Sequence, residues 1–200
     1  MTKEYNVLIS SVGGQGGVTL ARLLSNAALI RGLNVRIGET LGMAQRGGAV
    51  QSHVRVGTSI YGSLIRRGGA NVLIALEPSE AVRVSVYLRK GTKVIMNTEP
   101  TYPIPVLLGD VRYPEIGEIS GALEKIGCTV HNLNASKLAN EADAPRSLNV
   151  VALGAYMALG DDVFEGEAVE SAIKSSLPER YLCENNRAYK VGYNAIKSIK

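Results

Sequence analysis

The chain has no tryptophan and a single phenylalanine, Phe164, so its core has to be built from aliphatic side chains. Nine tyrosines supply most of the aromatic area. There are only two cysteines, Cys128 and Cys183, and two histidines, His53 and His131. Two thiols cannot hold a four-thiolate iron–sulfur cluster, and no paired His or Cys spacing suggests a metal site. A disulfide between them is not expected in a reducing compartment, and both read as inert thiols in or near packing. No stretch approaches the ~20 apolar residues of a membrane-spanning helix. The polar opening, residues 1–6, and the short apolar run after it do not read as a secretory signal, so the expected location is cytoplasmic. The net charge of +4 is scattered, densest at Arg66-Arg67 and Arg89-Lys90. A basic stripe interleaved with aromatics is missing, which argues against nucleic acid.

What remains is an ordinary globular composition, 200 residues with 46% hydrophobic content, read as one domain spanning 1–200. Its most informative residues are Gly13-Gly14-Gln15-Gly16-Gly17. They separate an apolar strand, 6–12, from a helical pattern that Gly32 closes. A second strand, 35–39, leads to another glycine-dense loop, Gly42-Met43-Ala44-Gln45-Arg46-Gly47-Gly48. Glycine lets backbone amides approach a ligand or partner closely.

The strand–helix–strand opening implies parallel strands. Residues 49–56 alternate, with Val50, Ser52, Val54 and Val56 on one face and Gln51, His53 and Arg55 on the other. A strand at 60–65 is expected to pair with it as a hairpin. Further strands are read at 72–76, 92–97 and 129–133, with helices after Pro78 and at 115–126. Asn134 suits the N-cap of a short helix at 135–142. Pro100, Pro103 and Pro105 predict extended loop. Helices at 147–159, 165–177 and 180–198 complete an α/β chain. The expected architecture is a three-layer α/β/α, mostly parallel, mixed and Rossmann-like sheet, with a helical C-terminal tail packing back on it.

A glycine loop between strand and helix suits an anion at the helix N-terminus. As a dinucleotide fingerprint it is incomplete, because Thr19 stands where the third glycine belongs, although Glu39 imitates the ribose-binding acid. The Walker lysine is missing too. A tight turn serving packing or a subunit interface stays open beside ligand contact. Arg46 suits a carboxylate, a phosphate or an acidic group on another subunit. His53 and His131 lack partners at catalytic spacing and read as structural or interfacial. Gly160-Asp161-Asp162, with Asn185-Asn186 downstream, imitates a thiamine diphosphate signature without its second glycine. The two aspartates are better read as caps of the helix near Glu165.

Both loops, in this order and spacing, resemble the gamma-type subunits of 2-oxoacid:ferredoxin oxidoreductases. Within that family the chain is similar to the small (beta) subunits of indolepyruvate ferredoxin oxidoreductase. The matching residues are Gly13-Gly14-Gln15-Gly16, Gly42-Met43, Gln45-Arg46-Gly47-Gly48 and Ser52-His53-Val54-Arg55. Met43-Ala44-Gln45 looks like the arylpyruvate form of the second loop, where pyruvate and 2-oxoglutarate relatives carry tyrosine and proline.

The resemblance implies a complex that oxidatively decarboxylates aryl 2-oxoacids on thiamine diphosphate. It passes the acyl group to coenzyme A and electrons through iron–sulfur clusters to ferredoxin. Thiamine and clusters would lie on a large (alpha) subunit. This chain would carry no catalytic residue and would offer Gly13, Gly14, Gln15, Gly16, Gln45, Arg46, Gly47 and Gly48 to the cleft and the coenzyme A path. A gamma subunit for pyruvate or 2-oxoglutarate, a purely structural assembly subunit and a free-standing nucleotide-binding module are the alternatives.

Overall fold

The computed structural model describes residues 4–42, 44, 47–161 and 163–198. Six strands form one sheet: β1 (Tyr5–Val12), β2 (Asn34–Leu41), β3 (Ala49–Gly57), β4 (Val72–Ala75), β5 (Lys93–Asn97) and β6 (Thr129–Leu133). Their order across the sheet is β2-β3-β1-β4-β5-β6. The β1, β4, β5 and β6 strands are parallel, while β3 runs antiparallel to both neighbours. Thus β1 and β2 point the same way, as expected, but are separated by β3.

Alternation in the strands sends apolar side chains to two covered faces. Val7, Ile9, Val54, Val72, Ile74 and Ile95 meet α1 (Gly17–Ile30) and α6 (Leu148–Met157). Leu8, Leu73, Val94 and Met96 meet α2 (Pro78–Arg83) and α4 (Ile116–Lys125). The expected three layers are present. Asn134 also caps its helix, α5 (Ala135–Glu141), by accepting from the Lys137 N–H at 2.8 Å.

Four expectations change. Residues 60–65 form no strand, because both edges of β3 are already taken by β1 and β2. Instead Ile60 and Ile65 anchor an irregular segment, and the Ile65 N–H donates to His53 Nδ1 at 3.2 Å. His53, expected on a polar face, is therefore buried beneath that segment, edge-on to Tyr87. The proline-rich stretch holds a single helical turn, α3 (Ile104–Leu107). Its prolines fall at the N-cap and in the first turn, where a missing N–H costs little.

The cap expected from Asp161 is not made either. Asp161 accepts from the Tyr5 hydroxyl at 2.5 Å and from the Lys93 ammonium, tying the α6 exit to the starts of β1 and β5. Glu165 is the N-cap of α7 (Gly166–Ser176), and Asp162 lies outside the described residues. The helical tail packs back as expected, α6 against β5 and the last helix, α8 (Leu182–Lys197), on α6. Of the two thiols Cys128 is buried, which pushes its pKa up, whereas Cys183 is exposed.

Two glycines set the α6–α8 approach. A Cβ on Gly154 would lie 2.0 Å from the Tyr189 carbonyl oxygen, and one on Gly192 would lie 2.0 Å from that of Val151. Gly121, inside α4, has open space around it. Gly154→Ala is expected to cost about 3 kcal/mol through forced backbone separation, whereas Gly121→Ala gains about 0.5–1 kcal/mol from helix propensity. Urea melts of the two variants check the opposite signs.

Burial holds the His53 imidazole below its ordinary pKa. The unfolded chain binds a proton there near pH ~6.5 while the folded chain resists it. Folded stability is therefore full above that value and falls as the pH drops through it. Calorimetry should show a larger fall in thermal midpoint between about pH 7.5 and 5.5 for the native chain than for His53→Gln. An equal fall in both would assign the effect elsewhere.

Candidate functional site

The two glycine loops meet at the C-terminal edge of β1. Pairing of Val12 with Ala49 brings the chain ends together. The Gly13 N–H then donates to the Gly48 carbonyl at 2.9 Å, and the Gly47 N–H to the Gly13 carbonyl at 3.2 Å. Gly14 (φ +104°), Gly16 (φ +81°) and Gly47 (φ +72°) occupy the left-handed region, which side chains resist. Gln45, Arg46 and Met43 lie outside the described residues.

Gln15 turns inward and stitches the loop to three elements. Its Oε1 accepts from the Val12 N–H at 2.9 Å, and its Nε2 donates to the Leu76 carbonyl and to Thr101 Oγ1, both at 3.2 Å. From the other side Asn149, buried near the start of α6, donates to the Gly16 carbonyl at 3.2 Å. A Cβ on Gly16 would sit 2.7 Å from that amide nitrogen, so the close approach needs glycine.

A buried carboxylate fixes the next wall. Glu77, fully buried at the end of β4, is the N-cap of α2 and accepts from the Glu80 N–H at 3.0 Å and the Ser79 hydroxyl at 2.7 Å. Its other oxygen accepts from the Tyr113 hydroxyl at 2.6 Å and the Thr101 N–H at 3.4 Å. Burial and this neighbouring carboxylate raise the Tyr113 pKa well above its usual value, keeping the phenol a donor. Glu80, beside it, is raised by burial.

These walls enclose an open cleft of about 420 Å³ at the sheet's C-terminal edge. Gly14, Gln15, Thr101, Ser136 and Leu148 line it, with Glu99 and Arg146 also present. Ligands of open α/β sheets favour this edge. Arg146, exposed, supplies the cleft's cation. Among the described residues no three His, Cys, Asp or Glu side chains converge as a metal-ligand set.

Of the residues singled out from sequence, Gly13, Gly14, Gln15, Gly16, Gly47 and Gly48 therefore come together. His53 and His131 do not join them. His53 lies under the 60–65 segment, and His131 is half-buried in β6. Glu77, Thr101, Asn149 and Arg146 were missed. For Glu77 the signal is an acid directly before Pro78 at a strand end, an N-cap pattern. For Asn149 it is one amide inside an otherwise apolar helix. Thr101 carries no such signal.

The sequence profile of the family described as pyruvate ferredoxin/flavodoxin oxidoreductase matches residues 6–195. The chain belongs to that family. An indolepyruvate oxidoreductase subunit IorB from Archaeoglobus fulgidus is 43% identical, covering 96% of this chain and 94% of the relative. A common gamma subunit of pyruvate/ketoisovalerate oxidoreductases from Thermococcus litoralis is 30% identical over 82% of each. The crystal structure of a keto/oxoacid ferredoxin oxidoreductase gamma subunit from Geobacter sulfurreducens shares the fold. Its TM-score is 0.72 at 24% identity, covering 97% of this chain and 99% of that one. In this family member the Glu77 hub ties two cleft walls together. Glu77→Ala is expected to lower stability by about 2–4 kcal/mol, because the Tyr113 hydroxyl and the Glu80 and Thr101 N–H groups lose their acceptor. Denaturant unfolding measures it, and a loss below about 1 kcal/mol would remove Glu77 as the hub.

Proposed function

We propose that this chain is the small subunit of an indolepyruvate (arylpyruvate) ferredoxin oxidoreductase in the cytoplasm. The observation that carries this reading is the near-full-length likeness, at 43% identity, to an indolepyruvate oxidoreductase subunit. The lower identity to a pyruvate/ketoisovalerate gamma subunit makes that substrate class the second choice. In this reading the whole chain acts as one gamma-type unit. Thiamine diphosphate and the iron–sulfur clusters belong to the larger subunit. Two cysteines, one buried and one exposed, do not suit a four-thiolate cluster here.

The cleft fits one part of a long acyl-carrier thiol such as coenzyme A. Gly14 and Gln15 of the first loop line it together with apolar Pro100, Pro145 and Leu148, and Arg146 offers an anion contact. Volume and mixed lining agree with ordinary ligand sites. Coenzyme A, when bound, supplies the thiol that accepts the acyl group. The chain's own residues hold and orient it: Gln15 keeps Gly14 and Gly16 in their left-handed turns, and Arg146 meets negative charge. Gln45 and Arg46 belong to the same proposal on the second loop.

Two measurements test the reading. The purified chain alone should show no sustained arylpyruvate oxidation with an electron acceptor, and mixing with the larger subunit should restore it. In the reconstituted complex Arg146→Ala should raise the coenzyme A KM about tenfold, the worth of one charge-assisted contact, with assembly intact. Turnover by the lone chain would defeat the subunit reading. An unchanged KM would remove Arg146 from the path.

A further inference from the structure

Among the described residues thirteen large apolar side chains are exposed, and five of them crowd into one surface segment. Between the cleft residue Thr101 and Tyr113, the exposures are Tyr102 49%, Ile104 70%, Leu107 69%, Leu108 71% and Val111 57%. Single exposed apolar residues are ordinary, but five within ten positions are not. Ile104, Leu107 and Leu108 stand at i, i+3 and i+4 along α3 and its C-cap, the anchor spacing of a helix laid into a groove. At these exposures the five side chains present roughly 500 Å² of apolar surface, the larger part of the ~800 Å² per partner that a stable interface covers.

The segment is also held for presentation. Tyr102 packs edge-on to Tyr113 at 5.1 Å between ring centres, and Tyr113 donates to the buried Glu77 carboxylate. Pro103 and Pro105 restrict the backbone on either side of Ile104. Such a base lowers the ordering cost of docking.

Charge points to the kind of partner. Glu99 and Asp110 flank the patch, are exposed, and among the described residues have no ion-pair partner. The bordering cation, Arg112, is paired with Glu115 and Glu118, so the margin stays acidic on a chain of net charge +4. A second copy docked face to face would present the same carboxylates to themselves. A different chain with an apolar groove edged by Lys or Arg answers both the apolar centre and the acidic margin.

We infer that the Tyr102–Val111 segment is the docking element for the larger subunit, inserting Ile104, Leu107 and Leu108 into an apolar, basic-edged groove beside the cleft. This inference rests on the subunit reading above. It adds a consequence: a partner seated on α3 would lie directly against Thr101 and Gln15, closing one side of the cleft.

The test uses the full chain and the separately purified larger subunit, with affinity read by biolayer interferometry. Leu107→Ser/Leu108→Ser should weaken binding at least thirtyfold, as loss of two central anchors does, with circular dichroism and thermal midpoint unchanged. Leu29→Ser, also exposed, at 57%, but at the far end of α1, should bind as the native chain does. Ile104→Glu provides a second reading should the double variant misfold. Native-like affinity in the folded α3 variants overturns the inference while leaving the subunit reading standing. Absence of binding by the native chain overturns both. An intact complex with loss of a homodimer of the isolated chain would assign the patch to a second copy instead.

Discussion

The pairing of β3 between β1 and β2 is the constraint on which the rest of this molecule turns. Because β3 runs antiparallel to both, the loop entering it must return to the C-terminal edge of β1, where the first glycine loop begins. Val12 opposite Ala49 makes Gly13 and Gly48 neighbours, and the two Gly13 hydrogen bonds follow from that register. A one-residue slip would invert every side chain of β3, taking Val54 and Val56 off the α1 side of the core and turning the Arg55 guanidinium into it. The register is thus protected by the whole apolar face, and the loop geometry inherits that protection.

From there the structure radiates through polar groups rather than apolar ones. Gln15 reaches β4 and the 99–101 stretch, Asn149 reaches back from α6, and Glu77 gathers α2, Thr101 and Tyr113. Buried polar groups of this kind must be satisfied together, since an unpartnered one costs as much as several good contacts contribute. The cleft walls therefore behave as one connected body. Its opposite edge is tied in the same manner by Asp161, Tyr5 and Lys93, far from the loops.

Much of this was legible in the chain. Alternation in 49–56, apolar runs at 6–12 and 72–76, the Gly32 stop and the Asn134 cap each encode a local rule, and the structure obeys them. What failed was non-local. A strand at 60–65 was reasonable from its apolar residues, but only the sheet order reveals that β3 has no free edge. The aspartates after Gly160 suit a cap locally, yet Asp161 finds Tyr5 and Lys93, both distant in sequence. The glycine loops could be located from sequence, while their partners Thr101 and Asn149 could not be assigned, because contact across so many residues has no local signature.

The contrast between the two kinds of surface finally bears on why such a chain is a subunit. Val94 and Met96 on one face of the sheet, and Leu133 of β6 on the other, are buried, so exposure of Ile104, Leu107 and Leu108 a few residues beyond β5 does not reflect a shortage of covering structure. The fold could have turned α3 inward; instead Tyr113 and Glu77 hold its root while its apolar side remains outside. Exposed apolar area carries an aggregation hazard, and a rigid base adds an ordering cost to the free chain. The hazard vanishes when a partner occupies the patch, and the binding affinity gains because the ordering cost was already met in the free chain. An arrangement unfavourable alone and favourable in a complex is what the proposed docking role of this segment requires.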